Sequence, residues 1–424
     1  MQTSGWSVGI GLCIIGMGLA GSVPAAEELD SLSALPDSAA SESLSDLADD
    51  PIAVEMGITN LYQQNMRGGR STHSGRGRFA GSYDVIVSAD MERLLGIKGG
   101  ELFIHVEGFW PKEQGTDPAS VGSFFGVNGD AMPRDAAVVT ELWYQQDLLE
   151  GDLLFRIGKM DLTGGFECSG CPVSFDCNRF ANDETSQFLN SALVNNPSIP
   201  FSDYGLGAAL HYAPQGTDWY ITAASADAQA DYRETGFRTA FHDEDYFFSI
   251  AETGITPRFN SACGPLQGTY RVGLWYSPRP AAHSDSAKLY RDNTGVYLSC
   301  DQMLVRENDA EGDEQGLGVF GRYGYAPSSR NDLTQYISVG LSYQGLFEGR
   351  DEDVLAIGMA RGYLSDQANI TYLDDAETVW EIFYNARITQ WMNISPSLQY
   401  VADPGANSSA KDAVVFGLRT QLTF

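Results

Sequence analysis

Outside its N-terminus the chain lacks any apolar run of about 18 residues, the length a spanning helix needs, so helical membrane segments are excluded. It is also short of positive charge. Lys and Arg number 26 against 56 Asp and Glu, for a net charge of −30 and a pI near 4.3. Nucleic acid is therefore excluded as a partner, because nothing here neutralises phosphates over an extended surface. Histidine is scarce as well: His73, His105, His211, His242 and His283 are all there are, and none sits in a recognisable nucleophile arrangement. No enzyme is expected, and no cofactor or metal. A Ser or Asp within hydrogen-bond reach of His105 or His211 would reopen that question.

A linker is missing too. A chain of 424 residues would ordinarily divide into two or three soluble domains, yet composition does not shift after residue 50. The start is different. Val8 to Ala20 forms an apolar segment followed by Val23-Pro24-Ala25-Ala26, so residues 1–26 read as an export signal, although no basic residue precedes Arg67. Residues 27–50 carry eight acids, from Glu27 to Asp50, with no base and no aromatic residue. They read as an acidic low-complexity periplasmic extension. Residues 51–424 form one barrel domain.

What is present is alternation. In the last twelve residues Phe424, Leu422, Thr420, Leu418, Phe416 and Val414 share one face, while Thr423, Gln421, Arg419 and Gly417 share the other. A strand of about 9 to 11 such residues crosses a bilayer, and its backbone is satisfied there only in a closed barrel. The terminal Phe424 looks like the signal that bacterial outer-membrane barrels show to their assembly machinery. The competing reading is an edge strand of a soluble sandwich.

Reading back from Phe424, strands fall at 393–401, 378–388, 353–364, 335–346, 316–325, 293–305, 268–278, 245–256, 218–226, 204–213, 152–160, 137–147, 100–110, 77–95 and 51–66. With the last strand that makes sixteen, all antiparallel. An even number puts both ends on the periplasmic side. Phe383 breaks an otherwise clean alternation in 380–388. Connection length sorts by parity: 97–99, 148–151, 215–218 and 389–392 are short, whereas 110–135, 161–203, 279–292 and 402–412 are long. A sandwich has no reason to do this. An aromatic share of 11% and 46 glycines fit strands, turns and aromatic girdles, and the charge fits a polar, hydrated lumen.

The residues also carry a resemblance. Glu141-Leu142-Trp143-Tyr144-Gln145-Gln146, Arg156-Ile157-Gly158-Lys159-Met160-Asp161, Phe188-Leu189-Asn190-Ser191-Ala192, Tyr270 to Trp275, Gly321 to Tyr325, and the ending from Ser395 to Arg419 resemble the carbohydrate-selective (OprB-like) porins of Gram-negative outer membranes. The resemblance covers roughly residues 55–424. It implies a sixteen-stranded outer-membrane channel, usually monomeric, for facilitated diffusion of glucose and related sugars. A trimer stays open, and so does a general or cation-preferring porin, since −30 would concentrate cations at the mouth. The partners expected are monosaccharides or small oligosaccharides, lipid, and the barrel assembly machinery.

A sugar pore needs charged and amide side chains for hydroxyls and an aromatic face for the pyranose ring, with weak binding so that solute leaves. Parity turns His105 and Glu107 inward, then Glu141, Trp143 and Gln145, then Arg156. Arg78, Lys159 and Asp161 are neighbours at strand ends. Together these are the candidate constriction, with Trp143 foremost, although any barrel lumen is lined by paired Arg and Glu for solvation alone. The loop 161–203 is expected to fold into the pore. It holds Cys168, Cys171 and Cys177, and Cys177 with Cys168 or Cys171 is the expected disulfide. Zinc on Cys168 and Cys171 is the alternative, but no histidine or fourth cysteine lies nearby. His242-Asp243-Glu244-Asp245 reads as a solvated loop. Asp309-x-Glu311-x-Asp313 reads as a turn, because Phe320 stands where a calcium loop closes with glutamate.

Overall fold

A computed structural model describes residues 50–424, apart from 111–114, 130–136, 164–171, 184, 203, 232–233, 235, 242–243, 283–288, 309–313 and 368–371. The expected export signal, nearly all of the acidic extension, Cys168, Cys171, His242-Asp243 and Asp309 to Asp313 lie outside the described residues.

Sixteen strands form the barrel. They are β1 (Ile52–Gly69), β2 (Gly77–Asp90), β3 (Gly100–Trp110), β4 (Val138–Leu148), β5 (Leu153–Met160), β6 (Gly205–Tyr212), β7 (Trp219–Asp227), β8 (Phe247–Ile255), β9 (Gly264–Ser277), β10 (Asn293–Arg306), β11 (Gly316–Tyr325), β12 (Leu333–Gln344), β13 (Val354–Leu364), β14 (Ala376–Thr389), β15 (Met392–Ala402) and β16 (Lys411–Thr423). Each pairs antiparallel with its neighbours in sequence, and β1 pairs with β16. Closure runs from Gly57 opposite Thr423 to Asn65 opposite Val415. At its end the backbone N–H of Phe424 donates to Met56 O at 2.8 Å, and Met56 N–H returns the bond at 3.0 Å. No edge is left for lipid to face.

Period-two patterning produces the two faces. Ile337, Val339 and Leu341 of β12 are 41–42% exposed on the lipid side, whereas Tyr336 and Ser338, on the alternate positions, are buried. At the rim Phe424 stacks on Trp391, ring centres 6.3 Å apart. One boundary differs from the sequence reading. The segment 77–95 is not all strand, because the Asp90 carboxylate accepts the N–H groups of Glu92 and Arg93 and starts a helical turn, Met91–Leu95. Gly96 closes it in the left-handed region, φ 75°.

The lumen is not the uniformly hydrated channel its charge suggested. The described parts of loops 111–137 and 161–204 fold inside and build apolar cores against the wall. Phe188, Leu193 and Val194 pack on Phe320, Tyr336 and Phe383, while Val121 and Val127 pack on Val379, Val401 and Val415. Phe383, the residue that broke the alternation, faces inward and meets Phe188 edge-on at 5.1 Å. Inward glycines let the loop approach. A Cβ at Gly358 would meet Leu193 and Phe188 at 2.9 and 3.0 Å.

Candidate functional site

Strands β2 to β5 place a ladder of polar and aromatic groups on the inner wall. Register sets Phe103 opposite Trp143 and His105 opposite Glu141, Asp84 opposite Glu107, and Gln145 opposite Arg156. At the top, Glu107 accepts the Tyr204 hydroxyl at 3.0 Å. Below it, His105 Nε2 lies 3.0 Å from Asp84 Oδ1, and its Nδ1 lies 3.8 Å from Glu141 Oε1. Glu141 Oε2 accepts Trp143 Nε1–H at 3.2 Å and the Asp161 N–H at 2.9 Å, tying the root of loop 161–204 to the wall. Lower still, Phe103 stacks on the indole of Trp143 at 4.5 Å, and the Arg156 guanidinium lies 3.8 Å from that ring. Arg156 donates twice to Gln145 Oε1, at 3.0 and 2.7 Å, and Gln145 donates to Glu101.

Of the residues anticipated from sequence, Glu107, Glu141, Trp143, Arg156, His105 and Asp161 come together here. Two do not. Lys159 pairs opposite the lipid-facing Leu142, and its ammonium is held by the carbonyls of Val139 and Glu234 at 2.8 Å each. Arg78 is exposed near the end of β2 that meets loop 70–76. Trp143 is inward as expected, yet Phe103 from β3 and Arg156 from β5 flank it on either side, so it is the middle of a stack and not an open platform. Asp84 and Phe103 were overlooked. Parity carried both, since Asp84 follows Arg78 by an even step and Phe103 sits between the lipid-facing Leu102 and Ile104.

The hydroxyl-handling groups that keep solvent access are Asp84, His105 and Glu141, with side-chain exposures of 22, 15 and 12%. His105 thus has its carboxylate, the contact that would have favoured catalysis. Both ring nitrogens face carboxylates, however, which leaves none for a hydroxyl nucleophile. His211 shows the reverse, with Thr222 Oγ1 at 2.7 Å from Nδ1 and no carboxylate among its described partners.

The other wall is occupied by the loops. Glu381 accepts the N–H groups of Leu189 and Asn190, both at 2.9 Å. Glu377 accepts the Phe124, Phe125 and Gly405 N–H groups and the Ser123 hydroxyl. Arg419 donates to Gln187 O at 2.7 Å, and Gln63 and Gln399 both donate to Val127 O. Arg322 donates to Leu193 O and Asn182 Oδ1 and ion-pairs with Asp176 at 3.1 Å. Burial pushes the Asp176 carboxyl up to about 7 against that guanidinium. Cys177, next in the loop, is disulfide-bonded. Cys263 and Cys300 are free thiols, so its partner lies outside the described residues.

Residues 76–424 match the model of the carbohydrate-selective porin, OprB family. The chain belongs to this family. It is therefore an outer-membrane β-barrel porin of the Gram-negative type, in a family whose porins are channels rather than enzymes. Porin B of Pseudomonas aeruginosa is 23% identical over 384 residues, covering 82% of each chain. The putative porin QuiX of Acinetobacter baylyi is 22% identical, over 68% of this chain and 69% of that one. Among solved structures, the high-pH structure of Pseudomonas putida OprB superposes with a TM-score of 0.74 at 19% identity, covering 88% of this porin and 94% of that chain. At such identities the likeness speaks for the barrel, and not for individual wall residues.

Proposed function

We propose that this porin passes neutral monosaccharides, glucose and related sugars, by facilitated diffusion along the β2–β5 wall. The observation that carries the reading is the partly open row Asp84, His105 and Glu141, with Asp161 beside it, whose side chains keep solvent access even though Glu141 also braces the root of loop 161–204. Carboxylates accept sugar hydroxyls and a histidine can donate to them, while the exposure of these groups keeps each contact weak enough for release. Trp143 and Phe103 hold the row in place and supply the apolar ground beneath it. Phe424 serves as the assembly signal at the closing strand.

A second reading rests on the net charge of −30, which favours cations at the mouths. Planar-bilayer recordings of the purified protein, with glucose, a disaccharide and an amino acid titrated in turn, separate the two. Saturable block by sugars alone, weakened about ten-fold by Glu141→Gln, is the expected result. A cation-preferring current that ignores sugars would discard the sugar reading.

A further inference from the structure

The helical turn between β2 and β3 packs on the outside of the barrel. Gly100, which shares its parity with the lipid-facing Leu102 and Ile104, is buried, and a Cβ there would meet Met91 Cβ and Ile97 Cγ2 at 3.1 Å each. Ala89 shows the same cover. It stands opposite Ile52 and Leu102 on the outer face, yet it is only 7% exposed. Next to this contact the turn leaves a groove of about 420 Å³, with Ile52, Val87, Leu102 and Ile104 on the wall side and Leu94 and Leu95 on the other.

Every side chain lining the groove is apolar, and Ile52, Leu94 and Leu95 are 46, 41 and 68% exposed. Its wall side continues the lipid face of the barrel, at the end where Phe424 and Trp391 stack on the rim. Ile52 adds a second feature. β1 pairs with β2 from Ile52 onward but meets β16 only from Met56, so the stretch 52–55 has one edge without a strand among the described residues. A flat wall touches a lipid chain from one side, whereas this groove packs it from two. Close packing of that kind is what selects a partner within hydrocarbon, because dispersion contacts grow with the number of neighbours.

We propose that the groove seats one acyl chain of a phospholipid from the periplasmic leaflet, with the turn Met91–Leu95 as its outer lip. Around that lip Glu92, Arg93 and Lys98 are exposed beside Leu94, Leu95 and Ile97. Charged groups toward the headgroups and apolar ones toward the acyl boundary are the pattern of an interfacial segment. The seated chain presses on Ile52 and steadies the end of the β1–β2 hairpin where β16 no longer supports it.

The test is native mass spectrometry of the full chain, stripped of lipid in detergent and titrated with palmitoyl-oleoyl phosphatidylethanolamine. Wild type should hold one lipid per chain more tightly than any further lipid. Ala89→Phe fills the groove from a position that lines it and should weaken that first binding about ten-fold, the loss of roughly two buried methylene groups. Leu94→Ser, which opens the lip, should act in the same direction. Ile337→Phe, on the lipid face of β12, should change nothing, and single-channel conductance should be unaltered in all three. A wild type with no preferred first lipid, an Ala89→Phe chain that binds as wild type does, or an equal loss in Ile337→Phe would overturn the seat. Lipid-free dimers that Leu94→Ser separates would give the groove to a second copy, and lipid binding that appears only after deletion of residues 27–49 would give it to the acidic extension; either result would also overturn the proposal.

Discussion

Glu141 and Glu381 are the same residue on the same inward face of the same barrel, and they do different work. Glu141, on β4, keeps 12% of its side chain exposed while it braces Trp143 and the root of loop 161–204. Glu381, on β14, is 1% exposed and is consumed by two backbone amides of that loop. Facing the lumen therefore does not mean facing solute. The β2–β5 wall keeps partly open polar side chains where the β11–β16 wall has been spent on anchoring loops, and our proposed solute path follows from that division.

The largest break of this contrast comes from Glu381→Ala. Removing the carboxylate leaves two buried N–H groups unsatisfied, each costing about 1–3 kcal/mol. Loop 161–204 should undock on that side, raising single-channel conductance and exposing the loop to added protease. Conductance and protection equal to wild type would mean that the apolar contacts of Phe188 and Leu193 hold the loop unaided.

Trp143→Ala acts on the opposite wall. It removes the ring between Phe103 and Arg156, with a stability loss of about 3 kcal/mol typical of large-to-small core changes, and frees Glu141 from one donor. Sugar block should weaken while conductance stays near wild type. A variant that blocks with unchanged affinity would strip Trp143 of any part in the site.

The smallest effect concerns Asp176. Its docked carboxyl holds a proton up to about pH 7, whereas the same group in a released loop loses it near 4. The docked loop therefore binds more protons across that window, and docking weakens as pH rises from about 4 to 7. Protease protection of loop 161–204 measured across this range should show the slope in wild type and a flatter one in Asp176→Asn.

Much of the barrel was legible without coordinates. All sixteen strands lie where alternation and turn residues placed them, even the poorly alternating β1 and β7, because lipid outside and water or protein inside impose a period of two on every segment. The one misjudged boundary, 77–95, failed through a local cap: Asp90 begins a helical turn within a run that alternates well enough to pass as strand. At the site, parity put His105, Glu107, Glu141, Trp143 and Arg156 on the inner wall. Parity also carries Asp84 inward and, in step with Phe155 and Ile157, Lys159 outward; it did not show that Trp143 is sandwiched.

What the sequence determined by itself is the barrel, its strand number and the inward or outward sense of each wall residue, since these follow from a two-sided environment repeated along every strand. Only the tertiary structure decided which inward residues are consumed by the loops and which keep solvent access. That choice is made by contacts such as Leu189 with Glu381 and Val127 with Gln399, 192 and 272 residues apart in the chain. No local pattern encodes pairs so distant, because they form only after the closed wall has brought a loop and a strand together.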